Sequence, residues 1–161
     1  MQKADHISNV IKFKKITGKK YGEVLKEKIF ILLEMLNSYF DQEEQDKFNL
    51  AIGYINEEPE LNYPIGNEAG AGGITSTAED LLRWHNAWSS NTLLAKEKMD
   101  ELFKARVEWD EWGAYYGYGW MIDRFQFEVS KKHTIQCHPG TEVGFYDILV
   151  RQSDKDIFII L

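Results

Sequence analysis

The sequence predicts an α+β domain, with helices over its first two thirds and an antiparallel sheet over its last third. Three observations predict it. Apolar residues recur at helical spacing through Tyr21, Val24, Leu25, Ile29 and Leu32, and again through Leu81, Trp84 and Trp88. From Thr134 onward the chain changes to short β-branched and aromatic runs separated by turn-forming residues. Those runs follow one another without helical segments between them, which is the order of a meander rather than of βαβ units.

Taken in order, Ser8 or Asn9 is suited to cap a short helix carrying Val10, Phe13 and Ile16, with Gly18 as its stop. The second helix begins after Lys19-Lys20. Its continuation Ile29-Phe30-Ile31-Leu32-Leu33 is apolar all round, so the helix there either enters an interior or leaves helical geometry. From Asn37 to Gly70, Gly53, Pro59, Pro64 and Gly66 point to a wandering connection, whose aromatics Tyr39, Phe40, Phe48, Tyr54 and Tyr63 suit anchoring it to the core or, as the alternative, lining a cleft. A sharp helix start follows Gly70-Ala71-Gly72-Gly73, capped either by Ser76 with Glu79 or by Thr77 with Asp80. This Gly-rich turn lacks the Gly-Lys-Ser/Thr ending of a phosphate-binding loop. His85 reads as a helix histidine that packing satisfies. A further helix from Ala95 buries Met99, Leu102 and Phe103.

Trp109, Trp112, Tyr115, Tyr116, Tyr118 and Trp120 are interleaved with Gly113, Gly117 and Gly119, a density that suits either an aromatic ligand wall or the join between sheet and helices. Tyr118 to Ile122 reads as a first strand of the sheet. Thr134 to Cys137 and Val143 to Val150 read as two more, broken at His138-Pro139-Gly140-Thr141, and Ile157 to Leu161 is a last strand covered on both faces.

Composition narrows the function classes. The 161 residues are 43% hydrophobic and 28% charged, values of a folded chain rather than a disordered one. A net charge of −7 opposes a nucleic-acid face, and Lys12, Lys14, Lys15, Lys19 and Lys20 form only a local, solvated cluster. Cys137 is the sole cysteine, so no intrachain disulfide forms, and His133, Cys137 and His138 do not close a zinc ligand set. No signal peptide or membrane-spanning run is visible, which makes a cytoplasmic location the default expectation, subject to any targeting segment outside this sequence.

Ile16-Thr17-Gly18, Ala71-Gly72-Gly73-Ile74-Thr75-Ser76-Thr77-Ala78-Glu79-Asp80-Leu81, Tyr116-Gly117-Tyr118-Gly119-Trp120 and His138-Pro139-Gly140-Thr141-Glu142-Val143-Gly144-Phe145 together resemble the serine β-lactamase-related family. This is the penicillin-recognising group of class C β-lactamases, D-alanyl-D-alanine carboxypeptidases and related esterases. Ile29 to Met35, Ser38 and Phe40 resemble the family's loop after its Thr-Gly helix, with Leu32 and Glu34 where Pro and Gly are usual. The resemblance covers nearly the whole chain but only the middle and later part of the family domain. Residues 1–161 are therefore expected to form a single partial β-lactamase/transpeptidase-like domain.

The resemblance implies acyl transfer from an amide, lactam or ester to a serine, without a metal or organic cofactor. The family's serine is followed three positions later by lysine, which lets the amine accept the hydroxyl proton. No Ser-x-x-Lys occurs here: Ser76 is followed by Glu79, Ser8 by Ile11 and Ser130 by His133. Tyr54-Ile55-Asn56 has the letters of the family's Tyr-x-Asn motif but stands in the wrong order along the chain. His138-Pro139-Gly140 resembles the His-x-Gly strand at the active-site edge. The resemblance makes His138 and the Thr141 backbone N–H the catalytic candidates, the latter as one oxyanion-hole donor, and leaves ligand space at Gly140. Tyr118 and Trp120 are the aromatic substrate-binding candidates. The expectation is a partial serine hydrolase that is not competent as this chain alone, against a noncatalytic binding protein that keeps the cleft. The expected ligand is a small molecule or a peptide-like group. With apolar residues on both faces of its last strands, the chain is further expected to join a second copy, or a complementing polypeptide, through a sheet edge or face.

Overall fold

A computed structural model describes residues 10, 12–40, 50–60, 70, 72–108, 114–123 and 134–161. The architecture is α+β, with the helical region first and the antiparallel sheet last. Two compact units are distinguished, Met1–Asn86 and Ala87–Leu161. The expected cap at Ser8 or Asn9, the loop residues Phe48, Tyr63, Pro64 and Gly66, and Trp109, Trp112, Gly113 and His133 lie outside the described residues.

In the first unit, helix α1 (residues 12–17) ends at Gly18, whose N–H bonds the Lys14 carbonyl at 2.9 Å and whose φ of 71° few other residues adopt without strain. The stop is as expected, but the buried face is not: Ile16 is 83% exposed. Helix α2 (Tyr21–Leu25) starts where the Glu23 carboxylate accepts the Lys20 N–H at 2.8 Å. It then widens into a π-helical turn (Lys26–Phe30) and a set of turns. The all-apolar stretch thus leaves α-helical geometry, burying Phe30, Leu33 and Met35 while Ile31 and Leu32 face outward.

Gly53 to Glu60 corrects the expected wandering connection. These residues form a hairpin of β1 (Gly53–Ile55) and β2 (Glu58–Glu60), closed by Asn56 and Glu57 at φ 49° and 69°. Two successive positive φ values give a turn whose twist matches that of the strands. Tyr54-Ile55-Asn56 is therefore hairpin strand and turn.

Helix α3 (Ala78–Ala87) takes the Thr77 register, with the Asp80 N–H bonding Thr77 Oγ1 at 3.3 Å. Asp80 itself is not the reciprocal cap. Its buried Oδ2 accepts the Asn37 N–H and the Ser38 hydroxyl, each at 2.8 Å, while Ser38 Oγ also meets Ser76 Oγ at 2.7 Å. A two-way backbone bridge between Tyr39 and Thr75, 3.0 Å in each direction, extends the same joint. Ser38 and Ser76 are thus parts of a tie between the start of α3 and the loop after the π-turn, and His85 is buried on α3.

In the second unit, helix α4 (Lys96–Leu102) buries Met99. The sheet has six strands in sequential antiparallel order: β3 (Val107–Glu108), β4 (Tyr115–Tyr116), β5 (Met121–Ile122), β6 (Ile135–Glu142), β7 (Phe145–Gln152) and β8 (Ile157–Ile160). It begins earlier than the sequence suggested, because Val107 and Glu108 pair with Tyr116 and Tyr115. Tyr118 to Trp120 are a turn rather than strand, and Gly117 N–H bonds the Trp120 carbonyl at 2.8 Å. A Cβ on Gly117 would lie 2.9 Å from the Leu102 carbonyl oxygen, so the residue there has to be glycine. Trp88, Phe103 and Trp120 pack as an aromatic cluster with centroid separations of 5.3 to 6.1 Å.

The main correction concerns His138-Pro139-Gly140-Thr141, which interrupts nothing. β6 runs through all four residues, each paired with β7 from His138↔Leu149 to Thr141↔Tyr146. Pro139 is tolerated because of its phase in the ladder. It faces Ile148, whose N–H and C=O both bond Leu161 on the other side, at 3.0 and 3.1 Å. Pro139↔Ile148 is thus a pair that exchanges no hydrogen bonds, and the missing N–H costs the ladder nothing.

Candidate functional site

The same phase decides what β6 offers to a ligand. Backbone groups of residues 135, 137, 139 and 141 point away from β7. The Ile135 carbonyl accepts the Asp123 N–H at 2.7 Å, and Cys137 pairs with Met121. Beyond Cys137 the β5 ladder ends, since Trp120, Gly119 and Tyr118 have turned away. Among the described residues the strand is left open on that side from His138 to Thr141. Alternation directs the Thr141 N–H and C=O into this gap.

His138 is the first residue past the last rung. Its Nε2 lies 3.0 Å from Tyr116 Oη, and the two rings meet edge to face at a centroid distance of 6.3 Å. The phenol's pKa is raised, first by burial and then by the nearby Cys137, which favours the neutral hydroxyl that can bond the imidazole. The sequence placed Tyr116 in the aromatic-rich stretch but named Tyr118 and Trp120, not Tyr116, as substrate-binding candidates. The position of Tyr116 in the Tyr-Gly-Tyr-Gly-Trp segment was the available signal, but spacing alone did not say which aromatic would reach the histidine.

Gly140 lies opposite Asp147, and a Cβ built on Gly140 would stand 2.7 Å from Asp147 Cγ. The room expected for a ligand over Gly140 is thus occupied by that carboxylate. Tyr118 is 57% exposed beside the gap-forming turn, with the Arg106 guanidinium 4.3 Å from its ring centre. Trp120 is only 4% exposed and belongs to the aromatic cluster. The structure therefore brings His138, Thr141 and Tyr116 to one open strand rim, leaves Tyr118 in solvent and packs Trp120 inside. Among the described residues no group of His, Cys, Asp and Glu could hold a metal ion, and no helix is long and apolar enough to cross a membrane.

A helical region followed by a six-stranded antiparallel sheet is consistent with part of a β-lactamase/transpeptidase-like fold. The chain belongs to the beta-lactamase family, whose model matches residues 12–161. Among solved structures it resembles the octameric penicillin-binding protein homologue from Pyrococcus abyssi, at 24% identity and a TM-score of 0.81, covering 96% of this chain and 36% of that one. It also resembles D-amino acid amidase from Ochrobactrum anthropi SV3 (19% identity, TM-score 0.77, 96% and 46% covered). A third likeness is to the penicillin-binding protein from Bacillus halodurans (19% identity, TM-score 0.78, 99% and 50% covered). At these identities the likeness is one of fold. The chain spans between about a third and a half of the length of these three structures. No curated protein matches it.

Proposed function

We propose that this chain carries the substrate-binding strand of a serine hydrolase of the β-lactamase/D-alanyl-D-alanine carboxypeptidase type, and that it is not catalytically competent as an isolated chain. The observation that carries this reading is the open rim of β6, with His138 held by Tyr116 and the Thr141 N–H directed into the gap. An acyl carbonyl placed there receives a hydrogen bond from Thr141 as its oxygen becomes an anion, which supplies one of the two donors such a centre uses. His138, bonded to the Tyr116 hydroxyl, is positioned to bind a substrate carboxylate or to influence proton transfer. The nucleophile and its base have to come from residues outside this sequence, because no Ser-x-x-Lys occurs in it. That same lack favours the second reading, a noncatalytic protein that binds a small or peptide-like ligand at the rim.

The reaction class is tested by exposing the chain to a reactive penicillin and measuring its intact mass. The unmodified mass is expected, and stoichiometric acylation mapped to one serine of this chain would overturn the proposal. We propose in addition that the chain assembles, most simply with a second copy. Tyr146, 82% exposed, and Ile159, 45% exposed, stand with Ile157 on one face of the sheet, an apolar surface that a second subunit would cover. The octameric state of the Pyrococcus abyssi homologue supports assembly in this fold. A cytoplasmic location, from the lone cysteine and the sequence pattern, belongs to the same proposal.

A further inference from the structure

The second unit contains a cavity of about 440 Å³ that the strand rim does not explain. It lies toward the start of β6, lined by Trp88, Met99 and Phe103 on one side and by Gln136, Arg151 and Ser153 on the sheet side. Two of these are polar side chains buried more than nine tenths, Gln136 at 2% and Arg151 at 9% exposed, and they are cross-strand neighbours. Each carries a buried atom, Gln136 Oε1 and Arg151 Nε, that has no hydrogen-bond partner among the described residues. The Arg151 guanidinium stacks 4.6 Å from the centre of the Phe103 ring, and among the described residues no carboxylate lies within ion-pair distance of it. Burial holds its pKa below the ordinary arginine value, and the field of Asp156 offsets that only in part. At the mouth, Lys96 and Asp100 neutralise one another at 2.8 Å.

A buried guanidinium with no carboxylate at ion-pair distance among the described residues is costly, and its unpartnered Nε–H leaves a donor for an anion. We propose that this cavity is a binding site for a monocarboxylate with an aromatic or apolar body. Arg151 would take the carboxylate through its N–H groups. The Gln136 amide, turned about its own axis, would present N–H donors to the same oxygens. Trp88, Met99 and Phe103 would cover the body of the ligand, in a volume usual for small-molecule sites. The site is independent of the proposed acyl chemistry, which needs neither Arg151 nor Gln136.

The test is a titration of the whole chain with 3-phenylpropanoate, followed by tryptophan fluorescence, beside its uncharged amide and the capped dipeptide acetyl-Phe-Glu-amide. Saturable binding of the acid, at least about tenfold tighter than the amide, is expected, and Arg151→Met should reduce it by about tenfold or more. Tighter binding of the dipeptide than of the acid would keep the carboxylate site and assign the anion to a polypeptide side chain. Equal binding of acid and amide to the unaltered chain, or no saturation by any of the three, overturns the proposal. Those comparisons need no variant, so a folding defect in Arg151→Met would not obscure the result.

Discussion

Replacing Gly140 with alanine isolates the contact that shapes the rim. A methyl group there would stand 2.7 Å from Asp147 Cγ, with both carboxylate oxygens closer still. Carbon atoms separate comfortably at about 3.5–4.0 Å, so the two side chains have to part by roughly 1 Å. Asp147 is exposed and can turn away, which limits the penalty to that of an overpacked or off-rotamer side chain, about 1–2 kcal/mol. Without the clash, glycine to alanine in a strand would stabilise by about 0.4–1 kcal/mol through the unfolded chain. The sign of the effect therefore depends on Asp147. Gly140→Ala should lower the urea midpoint in the native background and leave it unchanged or raise it in Asp147→Ala, with a coupling of about 1–2 kcal/mol between the two positions. Equilibrium unfolding followed by tryptophan fluorescence measures all four chains. A stabilising Gly140→Ala in the native background, or a cost that persists without Asp147, would refute the packing argument.

Tyr21, Tyr39 and Tyr116 have raised pKa values, with burial the largest cause in each. The fold thus favours the neutral phenols, and the stability they contribute is fully present below the unfolded value near 10 and lost as pH rises through their folded values. Absorbance titration at the phenolate band should show some of the eight tyrosines ionising late. Tyr116→Phe should remove one of them, and a single transition of all eight near pH 10 would contradict the burial. For assembly, light scattering with size exclusion at low micromolar concentration should give a multiple of the 18.8 kDa chain. Ile159→Lys should shift it toward the monomer, whereas a monomeric native chain would reject the proposed face.

The positions of α3 and α4 and the order of the late strands were legible from apolar periodicity, whereas the same periodicity misread the face of α1, where Ile16 is exposed. Thr77 and Ser76 offered two registers for one helix start, and only the geometry of Asp80 decides between them, since its carboxylate is engaged by Asn37 and Ser38, distant in sequence. Asn56 and Glu57 escaped notice because neither is a glycine, yet both hold positive φ in the hairpin turn. Pro139 misled for a related reason: proline opposes a strand only where its N–H is needed, and that depends on ladder phase. At the strand rim, the resemblance pointed to His138 and Thr141, whose position on one strand follows from their spacing. It gave no role to Tyr116 or Asp147, because those roles arise from strand pairing across the sheet.

The gap beside β6 is also a place where a stray chain could add itself to the sheet. An extended segment laid there would find the Cys137 rung already taken by Met121, then a lone carbonyl at Pro139, and only at Thr141 both an N–H and a C=O to exchange. A growing ladder needs that exchange at every second residue, and one such rung does not propagate. A ligand with a single carbonyl needs no more than that rung. Pro139 therefore limits strand addition along the part of β6 that β5 leaves unpaired among the described residues.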